Sequence, residues 1–80
     1  MADYVYVLRL ADPWQSPSEE VLATTMLALH PIVIVEPSPM EWIAGCTADD
    51  DADARRQVES KITDLPAFVP ELEIVALREI

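Results

Sequence analysis

The stretch of residues 32–47 constrains the fold more than any other part of the chain. It holds two apolar runs, residues 32–35 and 40–47, joined by the sequence EPSP at 36–39. Proline cannot donate to a sheet ladder, so two prolines in four residues predict a turn between two strands. A helix-like segment flanks this hairpin on each side, and one more strand-like run lies beyond each helix. The resulting order, βαββαβ, predicts an α+β fold of the ferredoxin-like type, with two helices on one face of an antiparallel sheet.

The segments before the hairpin fit this order. Residues 4–10 are rich in aromatic and β-branched residues and predict the first strand. Residues 16–29 predict a helix in which Ser16 is the N-cap and Glu19 completes a capping box. We expect this helix to end at His30, because a proline follows it. Its expected buried stripe consists of Val21, Leu22, Thr25, Met26 and Leu29.

The segments after the hairpin complete the order. Apolar residues recur at helical spacing through residues 50–64 and predict the second helix. Its expected core residues are Ala54, Val58, Ile62 and Leu65. The apolar loop 67–70 is expected to close one end of the core, and residues 71–80 predict the last strand. Gly45 indicates a bulge or a close packing contact in the strand that contains it.

Length and composition set the class of the protein. Eighty residues with 51% apolar content predict one folded domain, and a lone cysteine excludes an internal disulfide. The chain shows no signal peptide and no apolar run of membrane-spanning length, so we expect a cytoplasmic protein. The net charge of −10 argues against binding of nucleic-acid phosphates and favours a basic partner. General acidity of the source organism's proteins would explain the charge equally well.

Alternation along the strands predicts an apolar surface on the side of the sheet away from the helices. Tyr4, Tyr6, Leu8, Met40, Trp42, Ala44, Leu72, Ile74 and Ala76 are expected to face the helices. The opposite face then receives Val5, Val7, Ile43, Val75 and Leu77. The charged residues Arg9, Glu41, Glu73 and Glu79 fall on that same face, with Arg78 as the exception. Monomers rarely leave such a patch bare, so we expect a partner chain there, and an identical one suffices.

Metal binding is not predicted, although Asp49, Asp51 and Asp53 occupy alternate positions. A calcium loop needs glycine at its sixth position and glutamate at its twelfth, where this chain has Ala54 and Ser60. On the first turn of a helix these carboxylates would also diverge.

Catalysis is not predicted either. Cys46 and His30 are the conspicuous candidates for a nucleophile and a base, but Cys46 is expected to point inward and His30 to cap a helix. The chain has no glycine-rich phosphate loop, and Val5, Val7 and Ile43 would occupy the face where RNA recognition on this fold uses aromatic and basic residues. We therefore expect a protein that is not an enzyme and that uses no cofactor.

The acidic run at 49–53 is the remaining unusual feature. Asp49, Asp50, Asp51 and Asp53 exceed what helix capping requires, and Glu19 and Glu20 open the other helix. If the two clusters approach each other, they form one broad anionic surface that could fill a site built for phosphates. A solvated acidic turn is the alternative.

In size, charge and this acidic run, the chain resembles the small phage-encoded inhibitors known as anti-CRISPR proteins. The resemblance implies a non-enzymatic protein that binds a CRISPR effector complex and blocks its target-DNA channel with carboxylates. The competing hypothesis is a dimeric ferredoxin-like regulatory or assembly module that binds a small ligand or a protein. A dimeric ferredoxin-like enzyme ranks third.

Overall fold

Strand alternation and helical periodicity produce the expected order of elements. The computed structural model describes residues 1–12, 16–35 and 40–80. The elements are β1 (Ala2–Leu10), α1 (Glu19–Leu29), β2 (Val33–Val35), β3 (Glu41–Ala48), α2 (Asp51–Thr63) and β4 (Leu72–Glu79). The sheet is antiparallel in the order β2-β3-β1-β4, which is the ferredoxin-like βαββαβ arrangement. The predicted turn at 36–39 lies outside the described residues.

The core lies between the two helices and one face of the sheet. Its sheet side consists of alternate residues of the central strands, with Tyr6, Leu8 and Trp42 fully buried. Leu29 of α1 and Val58 of α2 pack into the same cluster. Both helices therefore cover the same face, as the sequence predicted, and no helix among the described residues covers the other face.

Helix α1 differs from its prediction in its N-cap and in its buried stripe. Ser18 is the N-cap, and its hydroxyl accepts a hydrogen bond from the Val21 N–H at 3.3 Å. The predicted N-cap at Ser16, with its capping box, is therefore wrong. Thr25 is fully buried with Val21 and Leu29, four residues to either side. This spacing turns Met26 outward, where it is 48% exposed. Its expected burial is therefore wrong.

The end of α1 follows the prediction. His30 is the C-cap in the left-handed region (φ 46°), and its N–H donates to the Met26 carbonyl at 3.0 Å.

The loop at 67–70 differs from its prediction. Phe68 is 50% exposed. The loop therefore does not close the core with its largest side chain.

Of the two alternatives expected at Gly45, the structure shows the close packing contact, and the bulge of the sheet occurs in β4. Pairing between β1 and β3 continues without a shift through Gly45, and a Cβ there would lie 3.4 Å from the Tyr4 carbonyl oxygen. In β4, Ala76 pairs with Val7, whereas Ile74 pairs with the next residue of β1. Val75 is therefore the extra residue of a β-bulge, and side chains beyond it change faces relative to strict alternation.

This bulge corrects four expected positions at the end of the chain. Leu77 pairs with Tyr6 and packs against the core, so its expected place on the outer face is wrong. Ala76 takes that outer place instead. Arg78 pairs with Val5 on the outer face and is no longer an exception, whereas Glu79 pairs with Tyr4 on the helix side.

Candidate protein-binding surface

Part of the acidic run stabilises the start of α2. Asp50 is the N-cap, and its carboxylate accepts from the Asp53 N–H at 2.8 Å. The Asp53 carboxylate accepts from the Asp49 N–H at 3.1 Å and from the Gln57 amide at 3.2 Å. Arg56 lies 3.7 Å from the same carboxylate. Two of the four aspartates thus have structural roles, since they satisfy N–H groups at the helix start.

A third aspartate meets the sheet at Tyr4. The Tyr4 side chain is buried, and Tyr4 pairs with Glu79 of β4. Burial, the nearby Asp51 carboxylate and the negative charges of Glu79 and Asp50 together raise the pKa of Tyr4 to about 12. We call Asp49, Asp50, Asp51, Asp53 and Glu79 the acidic end. The perturbed pKa of Tyr4 reflects its burial and the negative potential that this acidic end creates there.

We predict that the tyrosines of the native protein ionise late in an alkaline titration. The folded state favours neutral Tyr4, whose pKa is about 12 instead of 10.0. Its contribution to stability is therefore complete below about pH 10 and is lost as the pH rises toward 12. Ultraviolet absorbance of tyrosinate should show little ionisation of the native protein at pH 10, where the urea-unfolded chain is about half ionised.

A Tyr4→Phe variant is the control for that titration. Burial also raises the pKa of Tyr6, so this variant should still ionise late, with roughly half the amplitude. The stability lost above pH 10 should be smaller in the variant than in the parent. Native tyrosines that titrate together with those of the unfolded chain would contradict the arrangement around Tyr4.

The structure separates the two acidic clusters. β1 and β3 are antiparallel, and their register pairs Ala2 with Ala48 and Arg9 with Glu41. α1 follows the end of β1, whereas α2 follows the end of β3, so the two helices begin at opposite ends of the sheet. Glu19 and Glu20 are exposed at the end away from α2's start. The expectation that both clusters form one anionic surface is therefore wrong.

Glu79 is the member of the acidic end that sequence reasoning missed. Strict alternation places it on the outer face, and only the bulge at Val75 turns it toward Tyr4. A bulge of this kind leaves no signal in a single sequence, because valine suits regular and bulged strands alike.

The expected nucleophile and base lie on different elements, Cys46 in β3 and His30 at the end of α1. Cys46 is partly buried, and burial raises the pKa of its thiol, opposed by the Lys61 ammonium. A protonated thiol is a poor nucleophile. Within residues 1–12, 16–35 and 40–80, no group of three or more carboxylates, histidines or cysteines is arranged to hold a metal. No helix in these ranges is long and apolar enough to cross a membrane.

Comparison with protein-family models, with curated proteins and with solved structures finds no match to this chain.

Proposed function

We propose that this chain is a non-enzymatic inhibitor that binds a basic, nucleic-acid-handling protein complex through its acidic end. A CRISPR effector is the leading candidate, and the consequence of binding would be a blocked target-DNA site. The observation that carries the proposal is the convergence of carboxylates from α2 and β4 around Tyr4, in a chain with net charge −10. The fold itself does not bear on this choice, since one fold hosts many functions.

Electrostatics supplies both the affinity and the speed of such an interaction. Arginine and lysine side chains that hold DNA phosphates can instead donate charge-assisted hydrogen bonds to carboxylates. A field of one sign also steers a basic partner toward the acidic end and raises the association rate. Exposed pairs contribute only about 0–1 kcal/mol each, so several carboxylates must act together.

The test neutralises the acidic end without removing the caps of α2. Asp49→Asn, Asp51→Asn and Glu79→Gln together remove three charges and leave Asp50 and Asp53 to hold the helix. We expect binding to a purified effector complex to weaken by roughly tenfold to a hundredfold. The dependence of binding on salt should also become shallower, because fewer ion pairs form.

The matched control removes the same charge from the opposite end of the sheet. Glu19→Gln, Glu20→Gln and Glu71→Gln lie at the start of α1 and before β4, and all three residues are exposed. This variant should bind like the parent. Equal weakening by both variants would show that only net charge matters, and unchanged binding of the first variant would exclude the acidic end.

The second candidate function is a dimeric regulatory or assembly module that binds a small ligand or a protein. It is favoured by the apolar row on the outer face, where Val33, Ile43, Val7 and Ala76 adjoin across the sheet. It would take first place if the chain forms a dimer and no basic complex binds it.

A further inference from the structure

The face of the sheet away from the helices, which we call the outer face, carries a continuous apolar row. The pairings Val33↔Ile43, Ile43↔Val7 and Val7↔Ala76 place one apolar residue of each strand side by side. Because partners in antiparallel strands project to the same side, the row crosses all four strands.

The exposed apolar surface of the outer face extends beyond this row. Val33 in the row is 48% exposed, and outside the row Val35, Val75 and Ile32 are 39%, 42% and 71% exposed. Contiguous apolar patches of this kind on soluble domains mark interaction sites.

The charges on the outer face are nearly balanced, unlike those of the chain as a whole. Two arginines, Arg9 and Arg78, stand against Asp3, Glu41 and Glu73. Arg9 also donates to the Glu73 carboxylate at 3.1 Å within the chain. With a net charge of −10 on the whole chain, most of the negative charge lies elsewhere. A basic partner gains little here, and a second acidic copy is repelled least here.

The charges beside the apolar row differ between its two sides. On one side, Glu41, Arg9 and Glu73 are neighbours and carry a net negative charge. On the other side, Arg78 lies next to the row with Gly45 and Val5, and Asp3 lies further out on the same face, so this side carries no net charge. A rotation of 180° about an axis along the row places each side of one copy against the other side of the second copy. The two rows then lie directly against each other.

We infer that a second copy of this chain covers the outer face in a two-fold symmetric dimer whose axis runs along the apolar row. Each row packs on its own copy, so the apolar surface is buried in both chains. Glu73 of one chain then faces Arg78 of the other, twice in the dimer. Each acidic end lies at an opposite end of the dimer, and their mutual repulsion is small.

A two-fold axis parallel to the strands fits the same face less well. It would place each side of the row against the same side of the other copy, so that Glu73 of one chain no longer faces Arg78 of the other. It would also place the two acidic ends at the same end of the dimer. Charge complementarity therefore selects the axis along the row.

The first test is the mass in solution across a concentration series. Sedimentation equilibrium should give twice the 8.9 kDa of one chain at high micromolar concentration. Val7→Glu puts a charge in the centre of the row and should raise the dissociation constant by roughly a hundredfold or more. The control Leu27→Glu adds the same charge at a 76% exposed position of α1 and should leave the dimer unchanged. A parent chain that remains monomeric overturns the proposal.

The second test fixes the direction of the axis. Glu73→Arg and Arg78→Glu, each alone, place like charges opposite one another and should raise the dissociation constant roughly tenfold. Both are surface substitutions, and circular dichroism checks that each variant folds. The double variant exchanges the two charges and should recover most of the affinity. A double variant no tighter than either single variant overturns the axis along the row.

Neither test involves a basic partner. The experiments can therefore reject the dimer without rejecting the proposed inhibition, and they can reject the inhibition without rejecting the dimer. Salt provides an internal check. Two chains of net charge −10 should associate more tightly as salt screens their repulsion, whereas binding of a basic partner should weaken.

Discussion

Trp42→Ala is expected to lower the free energy of unfolding by about 3–5 kcal/mol. Trp42 is the largest fully buried side chain, and it lies on β3 between Leu8 of β1 and Ile34 of β2. Its removal leaves a cavity that the three paired strands cannot close by moving independently. A domain of this size has a total stability of about 4–12 kcal/mol, so the variant approaches unfolding. A thermal melt should show a midpoint lowered by more than about 12 °C.

Trp42→Phe separates the contribution of volume from that of the indole N–H. Among the described residues, this N–H has no hydrogen-bond partner, although it is buried. A buried donor without an acceptor costs about 1–3 kcal/mol, which phenylalanine would not incur. We therefore expect Trp42→Phe to cost less than half as much as Trp42→Ala. Comparable losses in the two variants, or a small loss in Trp42→Ala, would contradict the position of Trp42 in the core.

The element order could be predicted from the sequence because each element carries its own local pattern. Strand β1 alternates over its whole length, and α2 shows helical spacing from Ala54 to Ile62. Each predicted boundary fell within about three residues of the observed one, as hydrogen bonds and caps decide the ends. Ser18 shows the limit: two serines precede α1, and only backbone geometry decides that Ser18 is the cap.

The outer face could be predicted only in part, because its composition depends on register. Val5, Val7 and Ile43 lie in strands that pair without interruption, and their positions on the face follow from alternation. Val75 and Leu77 lie at and beyond the bulge, where alternation no longer applies. Leu77 therefore belongs to the core, and Ala76 belongs to the outer face.

The acidic end could be located from the sequence, but its members' roles could not. A run of aspartates before an apolar-periodic segment predicts a helix start. Which aspartate caps the helix, and which reaches Tyr4, depends on distances between α2 and the sheet. Asp49, Asp51 and Glu79 combine exposure with no capping role in the structure. The neutralisation experiment uses them for this reason.

The bulge itself can be tested by adding one glutamate at either of two adjacent positions. Leu77→Glu is expected to lower the free energy of unfolding by about 2–4 kcal/mol, because it forces a charge toward the core or breaks the packing of Leu77. Ala76→Glu should change it by less than about 1 kcal/mol, because the new carboxylate can reach solvent from the outer face.

Urea denaturation of both variants should be measured at a concentration where the chain is monomeric, so that the dimer does not contribute. Strict alternation along β4 predicts the reverse order of the two effects, with Ala76 inward and Leu77 outward. If Ala76→Glu proves the more damaging change, Val75 is a regular member of the strand. The proposed contact between Glu73 of one chain and Arg78 of the other would then no longer be supported. The bulge determines that Arg78 pairs with Val5 on the outer face.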